Sequence, residues 1–372
     1  MRPTRFSGPV LYSGNPRVSA ASLENLPIGF NPDYAVYFDE FQGIPGNVPP
    51  NYNFDALASG TFTYAEGNSL QDGADKLYGW CQLSSDETDP SQNNSGGTVM
   101  TQESLQFRGR ELFIEGRVAI PSPATCEFFF GFSIDGDYTS GFNSDRLTGF
   151  ELVGGTNSLR LRSRAGGGAN AESIVEDIFT YPNGSTTTAA YILDSVNLAP
   201  VLGIRVHGFN ASTYADFYVN RRHVGTIRNT STTTSLGTSI KGIATYFKKT
   251  SEISGLTIGT ALDAGVASST NVIINGSSWV DEVSQRTTQI YTDQVLTIGA
   301  EDVRVSRILR SDDGDLLVDL VRAENSTTAV AHAEDASISA ASQACHIDYL
   351  TSYFSRYPST AAFDDYLVAP RR

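Results

Sequence analysis

The stretch LGIRVHGFNASTYADFYVNRRHVGTI, residues 202–227, admits few folds. Leu202, Ile204 and Val206 recur at every second position. Phe217 and Val219 repeat the pattern after a polar break, and an Asn-Arg-Arg turn leads on to Val224 and Ile227. A period of two, interrupted by turn residues, is the pattern of antiparallel strands with one buried face. The opposite face then carries Arg205, His207, Asp216, Tyr218 and Asn220, residue types able to read a sugar, grip a protein or meet water.

The pattern recurs upstream. In RELFIEGRVAI, Leu112, Ile114 and Val118 alternate with Phe113, Glu115 and Arg117, and CEFFFGFSI reads as a buried central strand with aromatics on both faces. Between residues 34 and 262 the spacing predicts about a dozen short strands with turns every 8–12 residues, the arrangement of a two-sheet sandwich rather than of βαβ units. Residues 1–33, rich in Pro, Gly, Ser and Asn, read as an extended N-terminal arm, and 263–270 (DAGVASST) as a small-residue linker. Residues 271–333 read as a small β domain. Within it Val303, Val305 and Ile308 form one arm of a hairpin and Leu316, Val318 and Leu320 the other, around SDDGD. In 334–372 the steps Ala344, Ile347, Leu350 and Phe354 predict a short helix ended by Pro358. The expected fold class is therefore all-β, a sandwich with an N-terminal arm and a small C-terminal β-unit ending in a short helix.

Composition excludes some functions. The net charge of −15 argues against nucleic acid, whose phosphates need a basic footprint. The longest apolar runs are strand-sized, which argues against a membrane span, and the N-terminus shows no apolar leader core. Cys81, Cys126 and Cys345 are widely spaced and form no CxxC pair, so three buried thiols are expected rather than disulfides or a zinc cluster.

Chemistry-bearing clusters are sparse. Glycoside hydrolysis needs two carboxylates at a fixed separation, which on one strand means acids two or four residues apart. The acid pairs Asp39/Glu40 and Glu176/Asp177 are adjacent in sequence and so face opposite sides of a strand. No catalytic residue, and no enzymatic activity, is expected on these grounds. Asp135 and Asp137 in SIDGDYTSG are the candidate calcium ligands, although such turns form in hairpins without an ion and no cofactor is required. The spacing allows His207 and His223 to face each other across the hairpin, but surface or hydrogen-bonded histidines are expected. Arg160, Arg162 and Arg164 share one strand face; like charges there repel unless neighbouring acids, an anionic glycan or a partner answer them. Tyr214, Tyr218 and Trp80 are the aromatic candidates for stacking on a sugar ring.

The order of YFDEFQG, GWCQLSSDETDPSQNNSGGT, LQFRGRELFIEGRVAI, FFFGFS and the 202–227 hairpin resembles the concanavalin A-like (lectin/glucanase) jelly-roll domains of tailed-bacteriophage virion proteins, over roughly residues 1–262. PTRFSGPVLYSGNP is similar to the arm that precedes that domain. The resemblance implies a non-enzymatic structural protein of the virion, decorating or cementing the outer surface of the head. It would be made in the host cytoplasm and would contact the major capsid protein and copies of itself, as a trimer. The alternative is a carbohydrate-binding adhesin, a head fibre or tail receptor-binding protein, that recognises host-surface glycans. The E-[IL]-D-x-x-E strand of laminarinase-like relatives has no counterpart here. VEDIFTYPN (Glu176, Asp177, Asn183) departs in spacing from the metal segment of legume lectins, so metal-dependent sugar binding does not transfer.

Overall fold

The computed structural model describes residues 34–39, 52–57, 60–63, 81–85, 96–101, 110–120, 125–133, 146–153, 158–165, 172–175, 191–192, 200–209, 212–229, 242–253, 255–276, 280–282, 285–287, 290, 294–310, 315–340 and 343–358. The expected N-terminal arm, Trp80, Asp135, Asp137 and the chain beyond 358 lie outside these residues, as do the Glu176/Asp177 pair, Glu40 and the Asp39 side chain.

The fold is all-β. In chain order the strands are β1 (Tyr34–Asp39), β2 (Tyr52–Leu57), β3 (Gly60–Thr63), β4 (Cys81–Ser85), β5 (Gly96–Thr101), β6 (Arg110–Ala119), β7 (Cys126–Ser133) and β8 (Arg146–Leu152). There follow β9 (Ser158–Ala165), β10 (Glu172–Val175), β11 (Tyr191–Ile192), β12 (Val201–Phe209), β13 (Ser212–Val219), β14 (Arg222–Asn229), β15 (Gly242–Lys249) and β16 (Leu256–Ile258). The last are β17 (Ser268–Asn275), β18 (Val280–Glu282), β19 (Gln285–Thr287), β20 (Val295–Ile298), β21 (Glu301–Arg310), β22 (Leu316–Glu324), β23 (Ser337–Ala340) and β24 (Ala344–Pro358).

Two eight-stranded sheets make the expected jelly-roll sandwich. One runs β14-β13-β12-β6-β24-β4-β3, with β1 also paired to β24; the other runs β10-β9-β8-β7-β15-β5-β2, with β11 also paired to β9. Alternation puts Leu112, Ile114, Leu202, Ile204, Phe217, Phe130 and Leu161, among others, into one core between the sheets. Phe150 meets Phe217 edge-on there, with centroids 5.3 Å apart. As expected, β7 is buried on both faces: Phe128, Phe130 and Phe132 enter this core, while Phe129 packs outside it with Leu147, Ala244 and Tyr246. The strip beneath Phe129 is made by Gly131 and Gly149, where an added Cβ would meet backbone or the Phe129 ring itself.

The C-terminal helix is corrected to a strand. Ala344–Pro358 forms β24, which lies between β6 and β4 in the first sheet and pairs with both, and with β1. The tail is thus part of the sandwich, which cannot close on residues 34–262. The remainder, β16-β17-β22-β21-β20-β23, closes as a small barrel inserted between β15 and β24. The expected 303–320 hairpin is present as β21–β22, and Val303, Val305, Ile308, Leu316, Val318 and Leu320 all fill the barrel core. The expected linker is corrected too. Leu262 bridges His332, Gly265 donates to the Ala329 carbonyl at 2.9 Å, and β17 begins at Ser268, so 263–270 is hydrogen-bonded barrel wall.

Gln343, 2% exposed, ties the point of re-entry to the point of exit. Its side chain accepts from Thr125 Oγ1 at 2.7 Å and donates to the Ser251 carbonyl at 2.6 Å, and its backbone N–H donates to Ser85 Oγ at 2.9 Å. All three cysteines are buried free thiols; burial raises the pKa of Cys126 and Cys345.

Candidate functional site

The outward face of β12–β14 is built by register alone. Asn220 and Arg221, with φ of 49° and 62°, make a tight two-residue turn whose left-handed residue conformations match the right-handed twist of the paired strands. Asn220 also locks it, donating its N–H to the Val201 carbonyl at 2.7 Å and accepting from Val201 N at 2.9 Å. With Leu202, Ile204 and Phe217 committed to the core, three rows of side chains must point the other way. They are His207, Tyr214 and Arg228; Arg205, Asp216 and Thr226; and Gly203, Tyr218 and His223. Glu115 of β6 continues the third row beside Gly203.

Asp216, only 4% exposed, is the centre of this grid. His207 Nε2 lies 2.8 Å from its Oδ2, and Thr226 Oγ1 donates to its Oδ1 at 2.6 Å. Because that hydroxyl proton is committed, the 2.9 Å contact between His223 Nε2 and Thr226 Oγ1 is a donation from the imidazole. Arg205 Nη1 stands 3.9 Å from Oδ2. Burial pushes the Asp216 carboxyl upward, but the His207 and Thr226 hydrogen bonds and the nearby cations outweigh it and hold the pKa below its ordinary value. Asp216 is therefore a fixed anion that orients its neighbours, not a proton donor. The two histidines are hydrogen-bonded, as expected: they sit on β12 and β14, His207 on Asp216 and His223 on Thr226.

At the solvent end of the grid the His207 and Tyr214 rings stack, centroids 5.5 Å apart and planes 19° from parallel. The Arg228 guanidinium lies 5.7 Å over the Tyr214 ring. Tyr218, an expected stacking residue, is corrected: it is fully buried, with His223 edge-on against its ring at 5.5 Å.

The arginine ladder belongs elsewhere. Arg160 Nε and Arg162 Nη1 bind the two oxygens of Glu151 at 2.7 and 2.8 Å on the outward face of the other sheet, so an acid of the adjacent strand answers two of the three charges. Arg164 stands on the same face, in register with Leu147 and Glu172. Among the described residues, the expected binding residues thus divide between two sheets, and of the expected aromatics only Tyr214 is accessible. Among the described residues no group of three or more His, Cys, Asp or Glu side chains is placed to hold a metal ion.

Among the described residues the barrel carries a buried ionic cluster that the sequence did not signal. Glu301 and Arg322 are both buried and paired through two hydrogen bonds of 2.6 Å, and Glu301 Oε2 also receives His332 Nε2 at 2.9 Å and Val330 N–H at 3.0 Å. Arg322 reaches on to the carbonyls of Asp263 and Val330. Every strong donor is satisfied internally, so this is a clamp across the barrel end rather than a binding site.

No protein-family model matches the chain, and no curated protein matches it. Solved structures similar to it include an endo-1,3-β-glucanase from Streptomyces sioyaensis, at 11% identity and TM-score 0.41, over 88% of this chain and 98% of that one. Others are SCLam, a non-specific endo-β-1,3(4)-glucanase of family GH16 (10%, TM-score 0.38, 91% and 97%), and the CBM2 module of the evolved Dit of Lactobacillus casei BL23 phage J-1 (11%, TM-score 0.35, 59% and 89%). Head decoration has no counterpart among the structures named. The expectation of a non-enzyme is corrected: six of the similar structures are endo-glucanases or laminarinases. Sheet pairing also brings two acids, Glu115 and Asp216, to one face from different strands, with Cα atoms roughly 12 Å apart by strand spacing. The lack of a one-strand acid pair therefore does not exclude catalysis.

Proposed function

We propose that the chain is a carbohydrate-binding β-sandwich protein whose ligand lies on the outward face of β12–β14. The observation that carries this reading is the His207–Tyr214 stack, half-buried and held rigid by Asp216 below it. A preorganised aromatic surface beside fixed hydrogen-bonding groups suits a ring that is apolar on its face and polar at its rim. The reading rests on this face, not on the low-scoring neighbours.

Affinity electrophoresis through gels containing single polysaccharides tests it. At least one polysaccharide retards the wild-type chain, and Tyr214→Ala relieves the retardation, weakening binding by about tenfold, or about 1.4 kcal/mol. Retardation by none, or equal retardation of both proteins, contradicts the reading. A virion setting, with the face turned toward host glycans, is the context we propose from the strand motifs. Mass spectrometry of purified particles tests that separately, and absence of the chain from them rules it out.

A further inference from the structure

The charge of the hairpin is opposite to that of the protein. Residues 201–229 hold four arginines (205, 221, 222 and 228) and one acid, Asp216, for a net +3 with neutral histidines. The whole chain is −15, so everything outside this segment sums to −18. An edge strand gains from charge of any sign, which keeps it from pairing with other chains. A cationic island on so acidic a chain goes beyond that need.

The cations are not all consumed inside the grid. Arg205 stands against Asp216, and Arg221 Nη2 reaches Glu115 Oε1 at 3.1 Å. Arg228 and Arg222, both exposed, form no ion pair with any of the described residues. Arg228 is in the same row as His207 and Tyr214, with its guanidinium over the aromatic ring. A neutral sugar offers that group only single hydroxyl acceptors, whereas a carboxylate, sulfate or phosphate ester accepts its paired N–H donors in a planar, charge-assisted fork.

We infer that the ligand of this face is an anionic saccharide, its ring on the Tyr214–His207 stack and its acid group against Arg228. The inference rests on the saccharide reading above and names the class of sugar. Because the contact is at the surface, it is screened by salt: binding falls steeply between about 0.05 and 0.5 M as the screening length shrinks below about 5 Å.

The test titrates the full chain with four probes: a neutral β-1,3-glucan, a polyuronate, a sulfated galactan and inorganic polyphosphate. The expected result is binding to the polyuronate or the sulfated galactan at least tenfold tighter than to the neutral glucan or the polyphosphate. Salt and Arg228→Gln each remove that preference, and unchanged thermal unfolding shows that R228Q is folded. Equal or tighter binding of the neutral glucan, insensitive to R228Q, overturns the anionic class and leaves the saccharide reading standing. Polyphosphate binding as tightly as the anionic glycans makes the face a general polyanion site and overturns both. Binding of none of the three polysaccharides also overturns both.

Discussion

His207 and Asp216 are cross-strand neighbours on β12 and β13, offset by one row, with the imidazole Nε2 at 2.8 Å from the carboxylate. The contact turns the His207 ring onto Tyr214 and makes a surface aromatic pair rigid. It also joins a buried charge to the only accessible tyrosine among the expected site residues.

Asp216→Asn tests that link. The variant keeps the shape but loses the charge that receives His207 and Thr226, and it is destabilised by about 1–3 kcal/mol in urea unfolding. The pH dependence has a definite sign. The folded pKa lies below the ordinary 3.8, so Asp216 stabilises the fold above pH 3.8 and loses this contribution as pH falls through the folded value. The variant shows a correspondingly shallower acid loss. An identical acid limb in both proteins contradicts the assignment.

Glu301 sets the acid limit of the barrel. Burial raises its carboxyl, but the Arg322, Val330 and His332 hydrogen bonds prevail and the pKa is lowered from 4.5 to about 2. Its contribution is complete above pH 4.5 and is lost as pH falls from there through about 2. Glu301→Gln leaves Arg322 buried without its counter-charge and costs about 3–5 kcal/mol. Differential scanning calorimetry at pH 7 and pH 3 measures both effects, and the wild type and variant converge toward the lower pH.

Removal of residues 344–372 takes a central strand out of the first sheet. Such a chain fails to form the sandwich core and gives no cooperative thermal transition for that unit. A chain shortened only after residue 358 keeps the described fold. Circular dichroism melts of the two truncations distinguish a central strand from a dispensable tail.

Gly131→Ala and Gly149→Ala test the aromatic packing on the outer face of the second sheet. The added methyl at 131 meets the Thr148 carbonyl oxygen and Gly149 Cα, and at 149 the Phe129 ring and the Phe130 carbonyl oxygen. Each variant loses about 1–3 kcal/mol by overpacking, read from urea midpoints.

Where the apolar residues of a strand keep to the expected spacing, the sequence is easy to read. The 202–227 hairpin, β7 and the β21–β22 pair all follow from alternation, and the grid around Asp216 follows once the inward residues are known. β24 misleads for a specific reason. A bulge between Ile347 and Tyr349 inserts one residue, so the inward positions run Cys345, Ile347, Leu350 and imitate a helical step. The barrel insertion is illegible for a topological reason, since no local pattern reports that residue 344 pairs with residue 84. Likewise, the answer to the arginine ladder sits nine residues away at Glu151, and the Glu301 clamp depends on partners 21 and 31 residues off. Side-chain chemistry between strands becomes visible only when register is.

Hydrogen–deuterium exchange of the full chain, with and without the polysaccharide that retards it most, locates the ligand. Protection concentrated in residues 201–229, with β9 and the barrel unchanged, is the expected result. Protection over β9 or the barrel instead, with 201–229 unaffected, contradicts a binding face centred on Tyr214 and Asp216.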